Sequence, residues 1–467
     1  MPSPAPTAEP APLVTVVVVS HNGADPLPPC LEALAAQDLP RGRVQVWVVD
    51  NASGDGTCEL VERDFPWVRL FANQRDEGFA GGGNVAMRQA DTAYVALLDQ
   101  DARPARDWLR RLLEPFEEEA RRGGGGPRLA ATTSKVVFLP RFLPLSLSTP
   151  AFVPAGTLGT RELGVCVHSV RVDGRDVTGE VLWDRRADGP EGEGEDRFRW
   201  TRPSERLLVP VDPDGNGGAR TTGWLQLGLR LAAESSKPVE LTWAEGGATI
   251  KAGTEAADQE VSLAPGAELV DVLSNAGGMV LVDGHGADRG HQEVDRGQYQ
   301  RAEEVFAFRG ASVLFRTEAL RHAGVFDDDF FTHYEDTDLA WRLRSRGWSV
   351  RYLPEAVVRH VHAASSGEWS PFLSFHVDRN RLLMLTKSAS AGLALREVLR
   401  YPLTTASLAL RTVARAHPRR PPRGTLLRLR VMASYLRLLP AMLARRWEIS
   451  RHAKVDRRHL ERWLVLR

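Results

Sequence analysis

Three acidic residues crowd into Phe331-Thr-His-Tyr-Glu-Asp-Thr-Asp338, directly after a run of aromatic side chains. Carboxylates set among apolar groups are costly unless they bind something or move protons. Asp336 is the candidate general base, able to take a proton from a hydroxyl, with Glu335 as its catalytic neighbour. Apolar walls push a carboxyl pKa upward, which suits that role. One of the three acids can instead cap the helix that follows. A second acidic pair lies far upstream in Leu97-Leu-Asp-Gln-Asp101. Asp99 and Asp101 are separated by one residue at the end of a hydrophobic run, so both can meet one hard cation. Mg²⁺ or Mn²⁺ takes carboxylates together with phosphate oxygens. Such an ion offsets the charge that develops on a departing diphosphate. A solvated turn would carry the same short pattern, and the preceding strand favours the metal reading. His360 and His362 lie on one face of an extended chain. Either could approach the metal, and His360 is the preferred third ligand.

Other residues suit a nucleotide. Asp50 ends a buried run and can accept a hydrogen bond from a pyrimidine N–H or a ribose, or else cap the next turn. Ser20, His21 and Asn22 end the first strand and should line the same crevice. Gly78-Phe-Ala-Gly-Gly-Gly-Asn84 offers backbone N–H groups at a helix start, which makes Gly78, Phe79 and Asn84 candidate donor contacts beside Asp99. No Gly-Lys-Ser/Thr follows, so this is no P-loop. The first strand also lacks the spacing of a dinucleotide fingerprint. A metal-bound diphosphate with a separate base is the equipment of a sugar-nucleotide glycosyltransferase. A sugar nucleotidyltransferase and a non-catalytic carbohydrate-binding or scaffold protein are the rival readings.

The elements that must hold these residues alternate. Strands are expected at 14–20, 44–49, 68–71 and 94–98, and helices at 27–36, 58–63, 81–90 and 108–122. That alternation makes a doubly wound α/β sheet, with ligands beyond the carboxyl ends of the strands. From Pro150 to Glu268 short alternating runs separated by Gly, Pro and Asp predict an inserted antiparallel β sandwich. From residue 390 the chain reads as basic amphipathic helices, Leu393–Ala414 and Leu426–Trp447, broken at His417–Arg423. The expected organisation is a disordered lead at 1–11, an α/β domain at 12–149 and 269–389, a β insertion at 150–268, and helices at 390–467.

Formal net charge is zero over 467 residues, yet from Arg396 onward 18 Arg and Lys face four acids. A basic tail behind an acidic body suits an anionic membrane surface. It lacks the aromatic interleaving of a nucleic-acid binder. The three cysteines, Cys30, Cys58 and Cys166, have no metal-type spacing. With no secretory leader and no run long enough to span a bilayer, a cytoplasmic protein, peripheral on the membrane, is expected.

The ordered set of motifs resembles the family 2 glycosyltransferases of GT-A fold, in particular the bacterial rhamnosyltransferase and galactofuranosyltransferase branch. The matching pieces are Val16–Asn22, Trp47–Gly56, Gly78–Asn84, Leu97–Asp101, Arg309–Ser312, Gly324–Arg342 and Val358–Ser366, covering about half the chain. The resemblance implies an inverting single displacement from a dTDP- or UDP-sugar to a cell-envelope or lipid-linked glycan. It implies that Asp50 contacts the base, Asp99 and Asp101 hold metal and diphosphate, His360 lies near the metal, and Asp336 is the general base. One departure is Asp76, where the family commonly has Asn. The β insertion has no counterpart in the family's minimal core.

Overall fold

The computed structural model describes residues 11–123, 128–154, 162–184, 191, 197–212, 220–361, 370–415 and 423–466. His362 and most of the expected lead and helix break lie outside them. The chain divides into two compact units. One comprises residues 1–137, 274–291 and 297–467, and the other 138–273 and 292–296.

The first unit is α/β. Its first strand, β1 (Val14–Ser20), is an almost continuous β-branched run buried on both faces, as a central parallel strand should be. Helix α1 (Leu27–Ala35) leads to β2 (Val44–Asp50), and α2 (Thr57–Asp64) leads to β3 (Arg69–Ala72). Helix α3 (Gly78–Gln89) then leads to β4 (Tyr94–Asp99). Next come the short β5 (Ala102–Pro104), α4 (Trp108–Arg122) and β6 (Leu129–Phe138). Strands β1 to β4 run parallel, and strand Ser312–Arg316 lies antiparallel between β4 and β6. Strand Ser349–His360 continues the sheet beyond β6 and also pairs with β5. This mixed sheet, with helices after the parallel strands, meets the GT-A expectation. The register aligns Ser20 with Asp50 and Val19 with Asp99, bringing three loop-forming strand ends to one edge.

The second unit is all β. Two sheets enclose a core of leucine and valine side chains from both, including Leu145, Val170, Leu227 and Leu241. Two features differ from the sequence expectation. The unit begins at Phe138 rather than Pro150, because Arg141–Ser148 is one of its strands. Pro140 and Pro144 disguise that strand as a break, although Pro144 pairs in register with Leu208. Strand Gly246–Ala252 was hidden by its glycines.

The rest of the first unit is helical. Helix α5 (Thr317–Ala323) precedes the aromatic loop, and α6 (Glu335–Ser345) carries the acids in its first turn. Helices α7 (Pro371–Ser388), α8 (Ala391–Arg415) and α9 (Arg423–His452) follow. Helix α7 is buried around nearly its whole C-terminal half, polar side chains included. Those polar groups hold the loop that enters α6. In that loop Phe331, His333 and Tyr334 all have positive φ, at 63°, 64° and 72°. Such conformations cost non-glycine residues of order 1 kcal/mol or more each. Asn380 Nδ2 offsets that cost by donating to the carbonyls of Phe330, Thr332 and His333 at 2.9, 2.8 and 2.7 Å. Arg379 donates to Asp329 and Phe330 carbonyls at 3.0 and 3.1 Å. His376 stacks on Phe331, with ring centroids 5.4 Å apart.

Beneath the loop lies a buried charge cluster. The Lys387 ammonium pairs with Asp327 and, at 2.9 Å, with Asp338. Arg342 binds the other Asp338 oxygen at 2.8 Å, and Arg445 of α9 bridges Asp327 and Asp329 at 2.7 and 2.6 Å. Burial alone would raise the Asp327 carboxyl, but Lys387 and Arg445 hold it below its ordinary value. Removing the cation from such a cluster strands its carboxylates. Lys387→Met should therefore lose about 3–5 kcal/mol in urea unfolding. A variant as stable as the parent would show that Lys387 does not anchor the cluster.

Acid should loosen the same loop. Burial, then the nearby Arg379, push the His376 imidazole down to about 4. The unfolded chain therefore takes up this proton first as pH falls through about 6.5. Stability should fall between pH 6.5 and 4, by at most about 3 kcal/mol, and this contribution should flatten below. His376→Gln should remove that part of the pH dependence, and an unchanged pH profile of the melting temperature would refute it.

Candidate active site

The loops after β1 and β2 fix one another through side chains. Ser20 Oγ donates to Gln100 Oε1 at 2.7 Å, and the His21 backbone N–H donates to the same oxygen at 3.1 Å. His21 Nδ1 meets the Asn51 carbonyl at 2.8 Å. Asn22 has φ 49° and its Oδ1 accepts from Gly54 N at 3.1 Å. Both Asp50 oxygens accept from Ser53, from the amide at 2.9 Å and the hydroxyl at 2.5 Å. That is turn geometry, and it orients the carboxylate while leaving further lone pairs for an N–H donor. Ser20, His21, Asn22, Asp50 and Gln100 thus form one connected rim.

The glycine-rich segment differs from its expected form. It is not a loop before a helix, because Gly78 already opens α3. Gly78 has φ 67°, and a Cβ there would run into the Phe331 carbonyl. Asp76 accepts from Gly78 N at 2.8 Å, so the departure at that position serves as a local cap. Phe79 is half-buried against Gly310 and Phe326. Asn84 does not face a ligand. It is fully buried, and its amide is committed to Phe326 at 2.9 Å and Asp328 at 2.6 Å. Its role is to tie α3 to the aromatic loop.

At the end of β4, Asp99 and Asp101 converge on His360. Pairing of β5 with strand Ser349–His360 sets His360 opposite Ala102, next to Asp101. The imidazole Nε2 lies 3.0 Å from Asp99 Oδ2 and 3.2 Å from Asp101 Oδ1. Burial would lower its pKa, but the two carboxylates push it up to about 10. The bound proton thus supplies the positive charge that two adjacent carboxylates require. The three donor atoms lie within 4.8 Å of one another. Two hard oxygens and an imidazole fit a divalent cation, which would replace that proton. Cys30 lies behind Asp99, and burial, with Asp101 and Asp99, raises its pKa and keeps it a thiol outside the donor set.

The second acid pair is held from the other side. Asp336 is buried, with Oδ1 accepting from Thr337 N at 2.5 Å and Oγ1 at 3.0 Å. Its Oδ2 faces Arg309 at 3.3 Å, and Arg309 Nε meets Asp288 at 2.7 Å. Glu335 is the carboxyl whose pKa is driven well up, by burial and then by the charge of Asp336, with Asp99 adding to it. Its Oε2 is buried without a hydrogen-bond partner among the described residues. Asp338 does not join this pair, being held beneath by Arg342 and Lys387. The two acidic groups are linked through the backbone, since Asp99 N donates to Ala311 O at 3.3 Å, two residues beyond Arg309.

Sequence reasoning gives Arg309 no role, although it lies within a matching motif. It missed Gln100, Ser53, Asn380 and Lys387. Gln100 and Ser53 stand inside quoted motifs, whereas Asn380 and Lys387 carry no motif of their own.

Residues 15–136 match the family model described as Glycosyl transferase family 2, and residues 261–376 match Glycosyltransferase like family 2. The two together cover about half the chain. Among curated proteins, the chain is 31% identical over 103 residues to Glycosyltransferase AglE of Haloferax volcanii, covering 21% of this chain and 34% of that protein. It is 41% identical over 58 residues to the N-acetylglucosaminyl-diphospho-decaprenol L-rhamnosyltransferase of Mycobacterium tuberculosis, covering 12% and 19%. The matched stretches thus span about a third or less of these relatives' own length. Among solved structures it is similar to GalNAc-T7 with UDP, GalNAc and Mn²⁺, at 12% identity and a TM-score of 0.46, covering 96% of this chain and 59% of that one. With family-model matches over about half its length, the chain belongs to glycosyltransferase family 2.

Proposed function

We propose that the protein is a metal-dependent inverting glycosyltransferase. It would move a rhamnose- or galactofuranose-like sugar from a dTDP- or UDP-sugar to a cell-envelope or lipid-linked glycan at the cytosolic membrane face. The observation that carries this reading is the pairing of a three-donor cluster, Asp99, Asp101 and His360, with a buried carboxyl pair, Glu335 and Asp336, linked by Arg309 and Ala311. The M. tuberculosis relative, whose name describes a lipid-linked acceptor, supports the choice of acceptor class.

Each residue then has a task. Asp50 and the Ser20–Asn22 rim receive the base and ribose, and Phe79 with the Gly78 turn walls the donor. Asp99, Asp101 and His360 would hold the Mg²⁺ or Mn²⁺, whose charge offsets that of the leaving nucleoside diphosphate. Asp336 takes the proton from the attacking hydroxyl, and Arg309 orients its carboxylate. Burial and the charge of Asp336 hold the Glu335 carboxyl well above its ordinary pKa, which favours its protonated form beside the base.

The test is nucleoside diphosphate release from a panel of dTDP- and UDP-sugars, with and without Mn²⁺. Asp336→Asn should lower kcat by about 10²–10⁴-fold with donor affinity nearly unchanged. Full activity in that variant would remove Asp336 from the chemistry. Asp99→Asn should instead weaken Mn²⁺ binding in titration calorimetry, by about tenfold or more. Unchanged Mn²⁺ affinity would dismiss the cluster as the metal site.

A further inference from the structure

Helices α8 and α9 each bury one face and leave a second apolar face in solvent. On α8 the packed side presents Leu393, Glu397 and Tyr401. Leu395, Leu399, Leu403 and Leu410 recur on the opposite side of the helical wheel. On α9 the packed side presents Val431, Tyr435 and Met442. Leu429, Leu436 and Leu443 stand seven residues apart on another side, and Trp447 extends their row by one turn. These eight outward side chains are between 50% and 71% exposed. Two such rows of leucine in water are far more than scattered surface apolar residues.

The flanks decide what covers them. The two helices carry eleven arginines and two glutamates. Glu397 is buried against Arg381 and Arg396, so Glu448 is the one acid on them left to solvent. Arg396 and Arg400 border the α8 row, and Arg430, Arg437 and Arg451 are exposed on α9. Arg451 lies over the Trp447 ring at 4.5 Å. A coiled-coil seam between two copies would set arginine against arginine, since no acids flank the leucines to pair with them. Apolar rows edged by cations and a tryptophan match a helix lying in the headgroup region of an anionic bilayer. No helix among the described residues is long and apolar enough to cross a membrane.

We propose that the outward faces of α8 and α9 are a bilayer-docking surface for anionic lipid, with the leucines entering the acyl boundary and the arginines meeting headgroup phosphates. This refines the membrane-face part of the functional reading and rests on it for its purpose. Deleting the C-terminal helices is a poor test, because Arg445 also braces Asp327 and Asp329. Point variants of outward residues avoid that. The intact protein and the triple variants Leu395→Ser/Leu399→Ser/Leu403→Ser and Leu429→Ser/Leu436→Ser/Leu443→Ser are floated with phosphatidylcholine vesicles, with and without phosphatidylglycerol. The parent should bind the anionic vesicles, less so in high salt, and each triple variant should bind at least about tenfold more weakly. Melting temperature and donor cleavage in free solution should be unchanged. A parent that ignores vesicles, or variants that bind like the parent, would overturn the proposal. So would a dimer in sedimentation that the serines dissolve, without vesicle binding. Vesicle binding without any donor cleavage would support the docking surface and sink the transferase reading instead.

Discussion

The buried ammonium of Lys387 is the interaction on which the acidic half of this molecule depends. Asp327 and Asp338 flank the aromatic loop, one before it and one after it, and both are nearly inaccessible to solvent. Two carboxylates cannot share such a space without a cation. Lys387 brings them together, and the three left-handed residues between them become the route the backbone must take. Asn380 then supplies two amide hydrogens to three carbonyls, so one hydrogen is shared. The reward is a tight turn that delivers Glu335 and Asp336 at the start of α6.

The opposite acidic group obeys a different constraint. Asp99 ends a buried strand and Asp101 follows it, where the chain leaves the sheet. His360 comes from a strand more than 250 residues later, placed by antiparallel pairing with the three residues of β5. Its proton balances the two carboxylates when no metal does. The site is therefore built to hold a positive charge at that point, whichever species carries it.

These contrasts explain what could be read from the chain in advance. Buried β-branched runs that end in Asp50 or Asp99 announce a parallel sheet and its ligand edge, because burial pattern and strand end are both local. Grouping the acids at 335–338 was also possible, since clustered carboxylates beside aromatics are rare. Separating Asp338 from its neighbours was not. That distinction depends on Lys387 and Arg342, and nothing local tells a charge facing down from one facing the crevice. Asn84 and the glycines of α3 were misjudged for the same reason. A glycine-rich stretch reads as a loop unless one knows that Phe331 packs against it. Proline at 140 and 144 hid a strand whose partners are tens of residues away. Local rules failed wherever a distant side chain set the environment.

Helix α9 has an implication for synthesis. The cations that neutralise Asp327, Asp329 and Asp338 are Arg342, Lys387 and Arg445, and the last of them lies more than a hundred residues beyond the first aspartate. A chain emerging from the ribosome can close β1 to β4 early, because those contacts are near in sequence. The acidic loop must wait, with its carboxylates solvated, until α7 and α9 have appeared. Assembly of the two halves is thus ordered in time: the β1–β4 edge can form while the turn bearing Glu335 and Asp336 still lacks its cations, and an abortive product lacking the last helices would retain the first without the second.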